Sequence, residues 1–171
     1  MSERQGAVTM RGNPLTLVGK EIKPGDKAPD TKLVANNLSE VSLSSYRGKV
    51  LVISSVPSLD TPVCDVETKR FNKEAAKLGD KVKIVTVSMD LPFAQSRWCG
   101  AAGVKEVVTL SDHRDAAFGD QWGVMIKGLR LLARCIWVVD SQGTVKYVQL
   151  VGEVADEPDY DAVLAAVKKL L

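Results

Sequence analysis

Four side chains stand out as able to do chemistry: the thiols of Cys64, Cys99 and Cys135 and the imidazole of His113, the only histidine. Three cysteines are too few, and odd in number, for a secreted disulfide framework. In a reducing compartment thiols are catalytic or buried and inert. Together with His113 they contain no C-x-x-C pair of the kind structural zinc sites show, so no metal is expected and His113 reads as a surface-loop residue.

Cys64 has the most informative surroundings. It follows Pro57-Ser-Leu-Asp-Thr61-Pro-Val, where a buried strand gives way to the first turn of a helix. Free N–H groups and the positive end of the helix dipole stabilise an anion there, which lowers a thiol's pKa and favours the reactive thiolate. The backbone of Val63 and Cys64 can also hold negative charge developing on an incoming oxygen. Thr61 offers a hydroxyl three residues before the sulfur, and Pro57 and Pro62 stiffen the loop. Asp65 and Glu67 act against a thiolate by like-charge repulsion, so an external cation is required, and Arg134, just before a strand, is the residue expected to supply it. On position alone an inert, buried Cys64 stays open as the alternative.

The elements that position these residues follow from pattern. Ala7 to Val18 reads as two short strands joined at Gly12-Asn13-Pro14, followed by a Pro/Gly-rich link from Lys23 to Pro29. Val50 to Val56 is a nearly unbroken apolar, β-branched run, as in a strand buried on both faces, and Pro57 ends it. A helix is expected from Val63 to Leu78, stopped by Gly79. A strand follows over Val82 to Ser88, then a helix from Pro92 to about Ala101. Further strands are expected at Val107–Leu110, Cys135–Asp140 and Thr144–Leu150, with a short helix at Asp115–Gln121 and an amphipathic one over Asp159–Leu171. Gly128 reads as a linker residue. The order predicts one α/β domain over residues 1–171: a three-layer, mixed sheet flanked by helices, which suits a thioredoxin-like core with an N-terminal hairpin extension.

The chain has 171 residues, 45% of them hydrophobic, and its 23 basic against 21 acidic residues leave a net charge of +2. This is globular composition without a nucleic-acid footprint or a membrane-surface patch. No apolar run follows the N-terminus and none approaches a membrane span, which points to a soluble, cytoplasmic protein.

Two motifs carry a family resemblance. Pro57-Ser-Leu-Asp-Thr61-Pro-Val-Cys64 resembles the peroxiredoxin active-site pattern, and Ser88-Met-Asp-Leu-Pro-Phe-Ala-Gln-Ser-Arg-Trp-Cys99 is similar to the signature of that family's thiol peroxidase branch. The likeness extends through Leu132-Ala-Arg134 to Glu157-Pro-Asp-Tyr160. It implies a thioredoxin-like fold, Cys64 as the peroxidatic cysteine and Cys99 as the resolving one, joined on oxidation in an intramolecular Cys64–Cys99 disulfide. It further implies that Thr61 orients thiolate and peroxide, that Arg134 holds both negative charges and that Pro57 shapes the pocket. The implied substrate is hydrogen peroxide or an organic hydroperoxide, the implied reductant thioredoxin and the implied assembly a homodimer, with no bound cofactor. Cys135 then reads as a core residue. Trp98, Phe93 and Leu91 read as pocket or core positions whose apolar character suits an alkyl hydroperoxide.

Two other functions share the cysteine pair. A thioredoxin-type thiol–disulfide oxidoreductase would need a cysteine where this chain has Thr61, and a redox sensor would be oxidised without turnover. The predicted placement of Cys64 and Cys99 on successive helices also implies that oxidation is accompanied by local unwinding, because a disulfide requires Cα atoms within roughly 7 Å.

Overall fold

The computed structural model describes residues 2–171. Along the chain it contains β1 (Glu3–Met10), β2 (Asn13–Val18), β3 (Lys32–Val34), β4 (Glu40–Ser42), β5 (Val50–Ser55), α1 (Pro62–Leu78), β6 (Val82–Ser88), α2 (Pro92–Ala102), β7 (Val108–Ser111), α3 (Ala117–Gln121), β8 (Met125–Ile126), β9 (Leu131–Leu132), β10 (Cys135–Val139), β11 (Val145–Leu150) and α4 (Tyr160–Lys168).

A seven-stranded mixed sheet in the order β11-β10-β5-β6-β7-β3-β4 forms the centre. Its middle strands β5, β6 and β7 are parallel, whereas β10 and β3 close the parallel block with antiparallel pairs. Every residue of β5 is buried, as its unbroken apolar run requires. The alternation along it sorts the two layers. Val50 and Val52 face a core completed by Phe71 of α1 and Val163 and Val167 of α4, against which Trp98 of α2 also packs. Leu51 and Ile53 face the opposite core, built with Leu17, Phe118, Ile126 and Leu132. That second layer is a small sheet, β1-β2-β8-β9, together with α3.

Several boundaries differ from the sequence-based expectation for local reasons. The N-terminal hairpin begins at Glu3 instead of Ala7, and a register shift between Arg4 and Val8 accommodates Gly6 at φ 65°. Its turn is centred on Arg11 and Gly12, both at positive φ, so that Asn13 and Pro14 already lie in β2. Gly128 is no linker residue: at φ 85° it lies in the turn that pairs β8 with β9, and this pair extends the small sheet. The last helix is shorter than its apolar pattern. It starts at Tyr160, with the Asp159 carboxylate accepting from Ala162 N, and ends at Lys168. No helix among the described residues is long and apolar enough to cross a membrane.

Candidate active site

The site lies at the C-terminal end of β5. The strand delivers the chain to Pro57, which is buried, and Val56 N still bonds Val87 O, which anchors the exit to β6. The loop that follows is clamped by one carboxylate: Asp90 accepts from Ser58 Oγ at 2.7 Å, from Leu59 N at 2.8 Å and from Ser88 Oγ at 2.7 Å. Asp90 belongs to the Ser88–Cys99 motif, but the sequence alone assigns it no role.

Thr61 is the N-cap of α1, in an extended conformation, and Pro62 occupies the first turn, where it gives up no hydrogen bond. Cys64 therefore sits in that first turn, where helix geometry leaves the Val63 and Cys64 N–H groups without intrahelical partners. Its sulfur is fully buried, packed with Val56, Leu59 and Trp98. The Thr61 hydroxyl donates to Ser58 O at 3.0 Å and not to the sulfur.

Arg134 is 1% exposed and every polar arm is engaged. Nε and Nη2 donate to Val154 O at 3.1 and 3.0 Å, Nη1 pairs with Glu67 Oε2, and Nη2 approaches Cys64 Sγ at 3.2 Å. A cation is thereby brought to the sulfur at hydrogen-bonding distance. Burial alone would lower the guanidinium's pKa, but the charges of Glu67 and Cys64 outweigh it and hold the group above its ordinary value.

The two carboxylates near Cys64 play different parts. Glu67, one turn along α1, is fully buried and accepts from Ser54 Oγ at 3.0 Å as well as from Arg134. It orients the cation that faces the thiol, a role that the spacing of three residues on one helix face could have signalled. Burial pushes its carboxyl upward, with Arg134 and Ser54 pulling the other way. Asp65 is turned aside: Oδ2 pairs with Lys69 Nζ at 2.8 Å and Oδ1 accepts from Trp98 Nε1 at 2.9 Å.

Cys99 is not brought to Cys64. It lies half-buried on α2 with Sγ 3.5 Å from Thr109 Oγ1, beside a cleft lined by Ala35, Asn36, Val107 and Val108, and all three cysteines are free thiols. Cys135 opens β10 between Ser55 and Leu150; it is 2% exposed in the core, and burial pushes its thiol strongly upward, away from reactivity. His113 is half-buried in the loop after β7. Among the described residues no three His, Cys, Asp or Glu side chains are grouped to hold a metal ion. Leu91 and Phe93 are 53% and 66% exposed and, with Leu59, Trp98 and Arg97, line a groove of about 520 Å³; Leu59 and Trp98 also pack against Cys64.

A buried thiol at a helix N-terminus, held by an arginine, is equipped for nucleophilic thiolate chemistry. The Redoxin family model matches residues 23–164. The thiol peroxidase of Bacillus subtilis (strain 168) is 54% identical over 164 residues, 96% of this chain and 98% of that protein. The thiol peroxidase of Staphylococcus aureus (strain MRSA252) is 49% identical over 163 residues, 95% of this chain and 98% of that protein. Among solved structures, a peroxiredoxin-like protein from Aquifex aeolicus superimposes with a TM-score of 0.91 at 44% identity, covering 98% of this chain and 99% of that one. A thiol peroxidase from Chromobacterium violaceum, 21% identical, shares the fold with a TM-score of 0.85 over 95% of each chain. The mixed sheet and its flanking helices are thus a thioredoxin-like fold, and the chain belongs to the Redoxin family as a peroxiredoxin-type enzyme.

Proposed function

We propose that this thiol-dependent peroxidase reduces hydroperoxides through the Cys64 thiolate, and the contact that carries the reading is Arg134 Nη2 at 3.2 Å from Cys64 Sγ. The sulfur attacks the terminal peroxide oxygen and the O–O bond breaks. Cys64 becomes a sulfenic acid, and the departing oxygen takes up a proton to leave as water or an alcohol. Arg134 faces charge that moves from sulfur to the leaving oxygen, and the N–H groups of Val63 and Cys64, left free in the first turn of α1, stabilise the same charge. Thr61 orients the peroxide once its hydroxyl turns from Ser58 O, and Pro57 shapes the wall. Cys99 then attacks the Cys64 sulfur, forming the intramolecular disulfide and releasing water.

Thioredoxin reopens that bond by dithiol exchange, so thiols supply both electrons and the cycle needs no metal or organic cofactor. The enzyme works as a homodimer in the cytoplasm, where a dithiol reductant is kept reduced. The groove lined by Leu91 and Phe93 gives an alkyl hydroperoxide an apolar seat.

Intact-mass analysis after one equivalent of peroxide tests the reading. The wild-type chain should lose two hydrogens and show a Cys64–Cys99 cross-link, whereas Cys99→Ser should gain one oxygen at Cys64. Oxidation that falls on Cys99 or Cys135 while Cys64 stays a thiol would overturn it.

A further inference from the structure

Trp98 packs beside one thiol and directly precedes the other in sequence. Its ring packs against Val56, Leu59 and Cys64 on one side and reaches the apolar layer shared by α1, α2 and α4 on the other. Its indole N–H donates to Asp65 Oδ1 at 2.9 Å, tying α2 to the turn of α1 directly after Cys64, and Lys69 Nζ fixes the other Asp65 oxygen at 2.8 Å. The next residue, Cys99, directs its sulfur to Thr109, whose hydroxyl donates to Asn36 Oδ1 at 3.1 Å. Consecutive helical residues point about 100° apart. While α2 is wound, Trp98 faces Cys64 and Cys99 cannot.

The rest of α2 is lightly held. Its buried residues are Pro92 and Gln95, both in the N-terminal half, and Gly100 weakens the half that carries Cys99. Gln95 Nε2 bonds Ser88 Oγ and Leu110 O, each at 2.9 Å, which fastens the first turns only. Towards the C-terminal half, the Trp98–Asp65 bond is the side-chain hydrogen bond that joins this helix to α1.

We propose that the Trp98–Asp65 hydrogen bond is a latch that sets how fast oxidised Cys64 reaches Cys99. This rests on the reading of Cys64 as the attacking and Cys99 as the resolving thiol. With the latch closed, the sulfenic acid stays enclosed beside Arg134. Breaking it frees the end of α2 to unwind. The Cys99 sulfur then bonds to the Cys64 sulfur, the Cys64 S–O bond breaks, and the oxygen leaves as water with the Cys99 proton. A slow latch also lengthens exposure of the sulfenic acid to a second peroxide, which would add an oxygen and give sulfinic acid.

Trp98→Phe keeps an aromatic ring but removes the N–H donor together with part of the indole, and Asp65→Ala deletes the acceptor by an independent route. After mixing with one equivalent of hydrogen peroxide and acid quenching, the first-order appearance of the disulfide is followed by mass. Each variant should form it about five- to tenfold faster than wild type, within the range expected for losing one partly exposed hydrogen bond. The double variant should be no faster than either single one, Asp65→Asn, which retains an acceptor, should fall between wild type and Asp65→Ala, and all four should yield less sulfinic acid per turnover. Unchanged or slower disulfide formation in Trp98→Phe, or effects that multiply in the double variant, would overturn the latch. A wild-type protein that forms no Cys64–Cys99 disulfide would instead overturn the assignment of the two thiols.

Discussion

Arg134 and Glu67 form a buried ion pair whose guanidinium extends past the carboxylate to Cys64 Sγ, at 3.2 Å. The arginine faces two groups at once, the Glu67 carboxylate and the Cys64 sulfur. Both partners are essentially sealed from water, at 1% and 0% exposure, so neither can exchange its partner for solvent.

Stability and chemistry should therefore separate on mutation. Arg134→Met leaves Glu67 buried without its cation, which should cost about 3–5 kcal/mol of folding stability. Adding Glu67→Gln should restore much of that stability. Peroxide oxidation of Cys64 should stay slowed by about a hundredfold or more in both, because the group facing the developing charge is gone. Denaturant melts and single-turnover oxidation measure the two effects; recovery of oxidation along with stability would contradict the assignment.

A second buried carboxylate sets a pH dependence. Asp112 accepts from Phe118 N and Gly119 N, each at 2.9 Å, yet burial outweighs these bonds and pushes its pKa up to about 6 from 3.8. The folded state binds this proton more tightly than the unfolded chain. Stability from this group is thus fully present below pH 3.8 and is lost as pH rises through about 6. The difference amounts to roughly 3 kcal/mol at most. Denaturant midpoints at pH 5 and pH 7.5 should show the wild type losing stability upward, with Asp112→Asn lacking that component. An identical slope in both proteins would refute it.

Two glycines with the same backbone sign should respond differently to alanine. Gly128, at φ 85° with open space around it, should lose about 1–2 kcal/mol from backbone strain alone. At Gly19, φ 102°, a Cβ would lie 2.2 Å from the Asp120 carbonyl oxygen, so Gly19→Ala should cost clearly more by prying the N-terminal hairpin from α3. Equal melting shifts would show that the hairpin adjusts freely.

The exposed apolar pair Leu91 and Phe93 should favour bulky substrates. Catalytic efficiency should be higher for cumene hydroperoxide than for hydrogen peroxide, and Leu91→Ser with Phe93→Ser should reduce that preference about tenfold, as expected when apolar contacts worth 1–3 kcal/mol are removed. Equal efficiencies in the wild type would remove the groove from the account.

Long, continuous patterns were legible without coordinates. The β-branched run of β5, the Pro-started helices α1 and α2 and the β10–β11 hairpin each contain their own signal. The strands β3, β4, β8 and β9 are two or three residues long and exist through pairing with distant partners, which no local pattern records. At the site, Cys64, Thr61 and Arg134 could be named from position and charge. The Asp90 clamp depends on a tertiary contact, as does the division of labour between Asp65 and Glu67. Two carboxylates in one turn look alike in sequence until one faces Arg134 and the other Trp98.

The most direct test is NADPH consumption by the enzyme with thioredoxin, thioredoxin reductase and cumene hydroperoxide, comparing wild type with Cys64→Ser, Cys99→Ser and Cys135→Ser. Turnover should vanish without Cys64, fall sharply without Cys99 and persist without Cys135, since burial keeps that thiol out of the chemistry. Full turnover in Cys64→Ser, or undiminished turnover in Cys99→Ser, would contradict the proposed cycle.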